Sequence, residues 1–350
     1  MEFALDETQQ AVRDLADEVL GRQAQQFEPD GGTGFDFAAW KALGESGLLS
    51  LAAPERLGGD GLGPLETGLV LRAVGRAGAR VPALATLAFG VLPIARLGTR
   101  EQQDELLGES GRVFTAALNE PSNPLPATPG AAVRGNRVSG RKIGVLHADL
   151  ARRLLVSASG ADGPIALLVD PGSDGVRMHR APGSLGDEWV VDLDDAPAET
   201  LGDGTGLADL HACALAGICS LADGAVAAAL DLTAEHLRTR HQFGKPLAAF
   251  QAVAQQVADV YVLARTLHLA ALSGCWRLAT GRDAAEDLDI AAYWLAEKAP
   301  AAMRTCHHLH GGLGLDITYP LHRHHSQIKD LARLVGGAGH RLDAVAAHGG

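Results

Sequence analysis

The sequence has few aromatic residues, no C-x-x-C pair, no block of basic residues and no membrane-length apolar run free of charges and of several glycines. Each absence excludes something. Aromatic side chains make up 4% of the chain against 47% apolar residues overall, so the apolar weight falls on Ala, Leu and Val. That composition favours helices packed closely through small side chains. The four cysteines, Cys213, Cys219, Cys275 and Cys306, all fall in segments that read as helix. Without C-x-x-C spacing they are expected as buried free thiols in a reduced compartment, not as a disulfide framework. The formal charge is −12, which repels nucleic acid and anionic membrane, so neither is expected as a partner. No segment is expected to span a bilayer. The opening MEFALDETQQ lacks the basic and apolar regions of a signal peptide, and the expected location is cytoplasmic.

What is present is long and organised. A chain of 350 residues exceeds one ordinary core and predicts two or three packed units. Residues 1–110 read as helices with glycine-rich joints. Asp6 caps a helix that carries Val12, Leu15 and Val19 on one face. PDGGTG, 29–34, is a loop by its turn chemistry, and Asp36 starts a second helix with Trp40 and Leu43 inward, ended by Gly47. Stretches 64–78, 82–97 and 99–107 follow as helices, with Pro64 and Pro82 suited to first turns. From 111 to 205 the texture changes to short runs, RVFTAAL, AAVRGNRVSG, RRLLVSAS, PIALLVD and WVVDLDD, separated by Gly, Pro and Asp; that is strand and turn grammar. From 206 to 350 four long helices fit, at 206–240, 247–280, 284–309 and 321–347. The fold class is therefore α+β, mostly α: an N-terminal helical domain, a small central antiparallel β domain and a C-terminal four-helix bundle.

Two stretches carry candidate chemistry. In RTRHQFGKPLAAFQ, Arg240 closes one helix and Gln251 opens the next, across a turn with Gly244 and Pro246. An arginine fork and a carboxamide converging there could hold a pyrophosphate. The plainer alternative is a helix C-cap with a salt bridge and an ordinary turn. In HHLHGGLGLDITYP, Gly311, Gly312 and Gly314 follow a helix end and let a ligand approach bare backbone. His307 with His310, and His322 with His325, stand at i, i+3, but no Cys or carboxylate is interleaved at ligand spacing. Solvated or hydrogen-bonded histidines are expected, and no metal.

R-x-Q-F-G-x-P followed by F-Q, and H-G-G-x-G ahead of Tyr-Pro, resemble the acyl-CoA dehydrogenase family. Here they are Arg240, Gln242, Phe243, Gly244, Pro246, Phe250 and Gln251, then His310, Gly311, Gly312, Gly314, Tyr319 and Pro320. GLLSLAAPERLGG, 47–59, is similar to a further segment of that family, and the likeness covers essentially the whole chain. The resemblance implies FAD-linked α,β-dehydrogenation of an acyl-CoA thioester. A carboxylate would take the α-proton and the flavin would accept the β-hydride. It also implies that Arg240, Gln242, Phe243, Gln251 and the loop His308, Leu309, His310, Gly311 and Gly312 clamp FAD carried by a neighbouring subunit. His308 stands where the family usually has glutamine. Electron-transfer flavoprotein is the candidate electron acceptor.

The departures from the family pattern are as informative. NEPSNPLPAT, 119–128, keeps Asn119, Glu120 and Pro121 of T-E-P-x-x-G-S-D but loses the G-S-D. SGRKIGVLHAD, 139–149, keeps Gly140 and Lys142 but places Gly144, Val145 and Leu146 where the family has a flavin-facing Trp-Ile-Thr. The two positions for the catalytic glutamate hold Val335 and Ala214. Asp223, Asp316 and Asp330 are the carboxylates nearby in sequence, expected as packing, turn and surface residues. The chain is thus expected to be the base-lacking subunit of a heteromeric (α2β2) acyl-CoA dehydrogenase, similar to the actinobacterial two-gene enzymes that include those of steroid side-chain breakdown. Such a subunit completes a homologous partner's FAD site and acts on a bulky CoA thioester. A homomeric enzyme with its base at an unfamiliar position, and a flavin-free scaffold, are the competing readings. Loss of both glutamates argues against the former and retention of the clamp residues against the latter.

Overall fold

The computed structural model describes residues 4–24, 35–183 and 186–349. Helix α1, Glu7–Ala24, starts in a reciprocal cap: Asp6 Oδ1 accepts from the Gln9 amide at 2.8 Å, and Gln9 Oε1 accepts from the Asp6 amide at 3.1 Å. Its inward face is rotated from the expected one. Ala16 and Leu20 are buried, Val12 and Val19 half-buried, and Leu15 is exposed. The expected loop at 29–34 lies outside the described residues. Helix α2, Phe37–Glu45, is capped by Asp36, whose Oδ1 accepts from the Ala39 amide at 2.9 Å; Leu43 is buried. Helix α3, Pro64–Ala77, carries Pro64 in its first turn as expected.

The single helix expected at 82–97 is two. Leu84–Val91 forms a π-helix and α4 runs Leu92–Leu97. Pro93 has no amide hydrogen and its ring opposes the carbonyl four residues back, so the α-ladder cannot run through it and widens upstream. Helix α5, Arg100–Leu107, has a Thr99–Gln102 capping box.

Among the described residues eight strands follow: β1 Thr115–Ala117, β2 Ala132–Arg134, β3 Arg137–Leu146, β4 Leu154–Gly160, β5 Gly163–Val169, β6 Val176–Gly183, β7 Gly186–Pro197 and β8 Glu199–Thr200. Their order is β6-β7-β3-β2-β4-β5-β8, with β1 added on β4. Most pairings are antiparallel, but β4 runs parallel to both β1 and β2. The β2–β3 hairpin lies between β1 and β4 in sequence and gives the chain the length to return in the same direction. Strand β6, VRMHRAPG, is absent from the sequence expectation, although Val176 and Met178 alternate with Arg177 and His179 and pack on the sheet core. It sits at the sheet edge on β7, where charged side chains are tolerated.

The C-terminal bundle comprises α6 Leu207–Thr239, α7 Gln251–Ala279, α8 Ala285–Glu297, α9 Ala299–His310, α10 Leu321–Leu334 and α11 Gly337–Ala347. Two of the four expected helices are broken. Pro300 interrupts the first of these at Lys298, and left-handed Gly336 interrupts the other after Val335. Helix α6 is long and apolar enough to cross a membrane by length and composition, yet 89% of its apolar window is buried as the central core helix. One hydrophobic core spans both helical regions, including Leu20, Leu71, Ile94, Ile218, Leu288 and Ile328, while the sheet has its own around Val138, Leu154, Val156 and Val191.

Candidate functional site

Helix α6 stops at Thr239 because Arg240 turns to extended backbone (φ −80°, ψ 122°), its amide still bonded to His236 O. The chain reverses through a two-residue hairpin in which β9, His241–Gln242, pairs with β10, Lys245–Pro246. Phe243 and Gly244 both take positive φ, 52° and 78°, as a primed turn requires. A bulky residue rarely adopts that conformation, and here the Phe243 side chain is 92% exposed. The Leu247 amide donates to Arg240 O at 2.8 Å, which ties the start of the next helix to the end of α6. Lys245 Nζ stands 4.2 Å over the Phe250 ring. Arg240, Gln242 and Gln251 are exposed, and their side chains make no hydrogen bond or ion pair among the described residues. The salt bridge of the plainer reading is therefore absent among those residues.

Helix α9 ends at His310, and Gly311 then takes φ 58°, ψ −134°. A side chain is strained at that angle. Nothing lies within 4 Å of where a Cβ would stand on Gly311 or Gly312, so their backbone is open to a ligand. His308 is exposed beside them. Leu309 and His310 point inward, 7% and 4% exposed. The His310 ring donates from Nδ1 to Cys306 O (2.7 Å), and its Nε2 accepts from the Tyr319 hydroxyl (3.0 Å). It stacks on His236 with centroids 4.6 Å apart.

His236 lies one turn before Arg240, so this stack holds the end of α6 beside the end of α9 and brings the two candidate motifs to one corner. Burial pushes both imidazoles below their ordinary pKa, and neutral rings stack without charge repulsion. His310 thus positions the corner, while any contact from Leu309 or His310 to a ligand falls to their backbone. Sequence reasoning missed His236, although its i, i+4 relation to Arg240 was there to see. The remaining histidines spread out. His307 packs on His325 at 4.7 Å, and His322 Nδ1 meets Tyr319 O at 2.8 Å.

Ala214 and Val335 are both fully buried. Ala214 lines a cavity with Phe89, Asn119, Ile143, Gly144 and Leu334 whose volume, about 20 Å³, admits one water. Asn119 Nδ2 donates to Leu334 O at 2.9 Å and so joins the sheet region to α10. Gly144 has φ 63°, and a Cβ there would stand 3.3 Å from Leu334 Cδ2 and 3.8 Å from Arg333 Nη1. A side chain at that position would meet a positive φ and crowd Leu334. An Arg333–Glu188 ion pair seals the seam. Glu188 is a carboxylate that sequence reasoning missed; burial pushes its pKa up, and Arg333 opposes the rise.

Retained Glu120 and Lys142 have a structural explanation. Lys142 is 0% exposed and donates to Glu120 Oε1 (2.7 Å) and Ser157 Oγ (2.8 Å), while Glu120 also accepts from the amides of Gly130 and Ala131. Asp316 is exposed and caps its own turn by accepting from Thr318 N and Oγ1. Asp330 lies 3.5 Å from Arg333. Asp223 is buried in a network with Arg72 and His268.

Residues 4–111 match the acyl-CoA dehydrogenase N-terminal domain and residues 216–348 the acyl-CoA dehydrogenase C-terminal domain. The acyl-CoA dehydrogenase FadE28 of Mycobacterium tuberculosis is 47% identical over 99% of this chain and 98% of its own length. Among solved structures, a variant of the Tcur3481–Tcur3483 steroid ACAD is 33% identical with TM-score 0.90 over 98% of both chains. The ChsE4–ChsE5 complex from Mycobacterium tuberculosis is 32% identical with TM-score 0.89, over 99% of this chain and 98% of that one.

Proposed function

The chain belongs to the acyl-CoA dehydrogenase family, oxidoreductases acting on acyl-CoA, and from that premise we propose that it is the base-free subunit of a heteromeric, FAD-dependent enzyme. In this reading it completes a partner's cofactor site and contributes no general base of its own. FAD, when bound, supplies the acceptor for the β-hydrogen of the thioester. The Arg240 fork meets the diphosphate, where planar bidentate geometry suits phosphate oxygens. Gln251 offers a carboxamide, and the backbone at Gly311 and Gly312 approaches without side chains between it and the ligand, although the Gly311 amide itself donates to His308 O. The His236–His310 stack orients these groups, and the Tyr319 hydroxyl fixes His310. The α-proton goes to a carboxylate on the partner, because Ala214 and Val335 accept none.

One observation carries the reading. The side chains of Arg240, Gln242 and Gln251 are exposed and make no hydrogen bond or ion pair among the described residues, whereas the cavity beside Ala214 and Gly144 has room for one water. The likeness to the Tcur3481–Tcur3483 steroid ACAD and to the ChsE4–ChsE5 complex supports a homologous partner subunit and a steroid-bearing or similarly bulky CoA thioester.

The test is expression of this chain alone and together with a homologous partner, recording flavin absorbance and subunit stoichiometry. The expected result is a flavin-free chain alone, and one FAD for each pair of unlike subunits in the complex. A lone chain that carries one FAD and oxidises acyl-CoA would overturn the proposal. In that case Glu188 is the candidate base, since its carboxyl is held up by burial and lies beside Gly144. Glu188→Gln would then abolish turnover by the lone chain.

A further inference from the structure

Away from the clamp, a cavity of about 570 Å³ opens between α1, α3 and α7, lined by Leu5, Arg13, Leu69, Arg72, His268 and Leu272. That volume is typical of small-molecule sites. Beneath it lies Asp223 of α6, 4% exposed. A buried carboxylate is costly unless paired, and this one accepts two hydrogen bonds on the same oxygen, from Arg72 Nε at 2.7 Å and His268 Nδ1 at 2.8 Å. The pairing fixes both side chains while using only part of each. Arg72 keeps its two terminal nitrogens free and His268 keeps Nε2 free among the described residues, with 24% of each side chain exposed at the cavity. Neighbouring acids are already engaged: Glu66 takes Gln9 Nε2 and the Gly63 amide, and Asp14 takes Arg13. The uncommitted polar groups are therefore those that meet an anion, over an apolar floor. Below the network the cavity narrows to a recess of about 20 Å³ beside Ser220 and Cys275, so a ligand sits above Arg72 and His268 and not among the helices.

We propose that this cavity binds an amphiphilic carboxylate, its head group on Arg72 and His268 Nε2, its aliphatic body on Leu5, Leu69 and Leu272, with Arg13 at the rim. The inference does not rest on the clamp. His268 bonded to Asp223 through Nδ1–H presents a lone pair at Nε2, so a carboxylate there requires a second proton on the ring. Binding therefore takes up a proton. The charged groups facing the ring are Asp223 of α6, Arg72 of α3 and Arg13, itself paired with Asp14, of α1.

The experiment titrates decanoate into the full-length chain by calorimetry, in buffers of different ionisation enthalpy and at two pH values. Saturable binding with proton uptake, weakening as pH rises, is the expected result. His268→Gln, whose amide can still reach Asp223, should remove the proton uptake, and Arg72→Gln should weaken binding at least tenfold. If circular dichroism shows Arg72→Gln unfolded, Arg13→Gln and His268→Gln decide instead. No saturable binding, equal binding of decanol, or inorganic phosphate binding as tightly as decanoate would each overturn the proposal. So would loss of decanoate binding once the partner subunit is assembled, since the cavity would then be an interface.

Discussion

Replacing Arg240 by alanine separates a clamp from a helix cap. The side chain is exposed and makes no ion pair or hydrogen bond among the described residues, so its loss leaves the fold nearly untouched. Unfolding of the lone chain should shift by no more than about 0.5 kcal/mol, the usual range for a surface change. In the complex the same change removes charge-assisted hydrogen bonds to a diphosphate, worth about 1.5–3 kcal/mol. That corresponds to roughly a 10- to 150-fold rise in the FAD dissociation constant. Arg240→Lys should fall between, because an ammonium keeps the charge but not the fork. The assay follows fluorescence of released FAD as the assembled complex is diluted, beside thermal unfolding of each variant. An FAD dissociation constant within twofold of wild type in Arg240→Ala would refute the assignment. A large loss of stability would return Arg240 to the role of a structural cap.

Glu120→Gln leaves the Lys142 ammonium buried without its carboxylate and should cost about 3–5 kcal/mol in a urea titration. Burial raises the Glu120 carboxyl, but bonds from Lys142, Ala131 and Gly130 outweigh it and hold the pKa below its ordinary 4.5. The wild-type advantage is thus full above pH 4.5 and lost as pH falls through the lower folded value, so the two urea midpoints should converge in acid. Gly144→Trp should destabilise by at least about 1–3 kcal/mol through overpacking against Leu334 and Arg333, without giving the lone chain a flavin spectrum. His236→Ala removes a ring pair worth about 0.5–1.5 kcal/mol, and should weaken FAD retention in the complex several-fold while circular dichroism stays unchanged.

Much of the helical frame was legible because its signals are local. Asp6, Asp36 and Pro64 each act where their chemistry says they should, through hydrogen bonds or a first-turn φ that need no distant partner. What stayed hidden has two sources, local proline effects and contacts far away in sequence. The π-turn at 84–91 and the break at Lys298 follow from prolines whose effect on an apolar run was not anticipated. Strand β6 pairs along β7, and its own alternation spans only Val176 to His179, too short a signal to mark the strand before its partner was known. The clamp residues were readable as a motif, yet their convergence was not. It depends on His236 meeting His310, two residues whose stacking is a property of how α6 and α9 pack. Glu188 was invisible for the same reason: its importance comes from Arg333, far along the chain.

The same dependence explains why motif retention alone does not decide whether a cofactor seat is alive. Asn119, Glu120 and Lys142 match the family pattern in stretches whose neighbouring positions depart from it, which at first suggests a partly working site. Their contacts say otherwise. Glu120 and Lys142 neutralise each other inside the sheet, where removal of either strands a buried charge, so both must persist whatever happens at the seat. Asn119 donates to the α10 backbone at Leu334 O. The side chains of Arg240, Gln242 and Gln251 make no hydrogen bond or ion pair among the described residues that would demand them. A residue kept with no internal contact points outward, to a ligand or another subunit. That asymmetry, more than the count of matching positions, supports a chain that serves a neighbour's flavin.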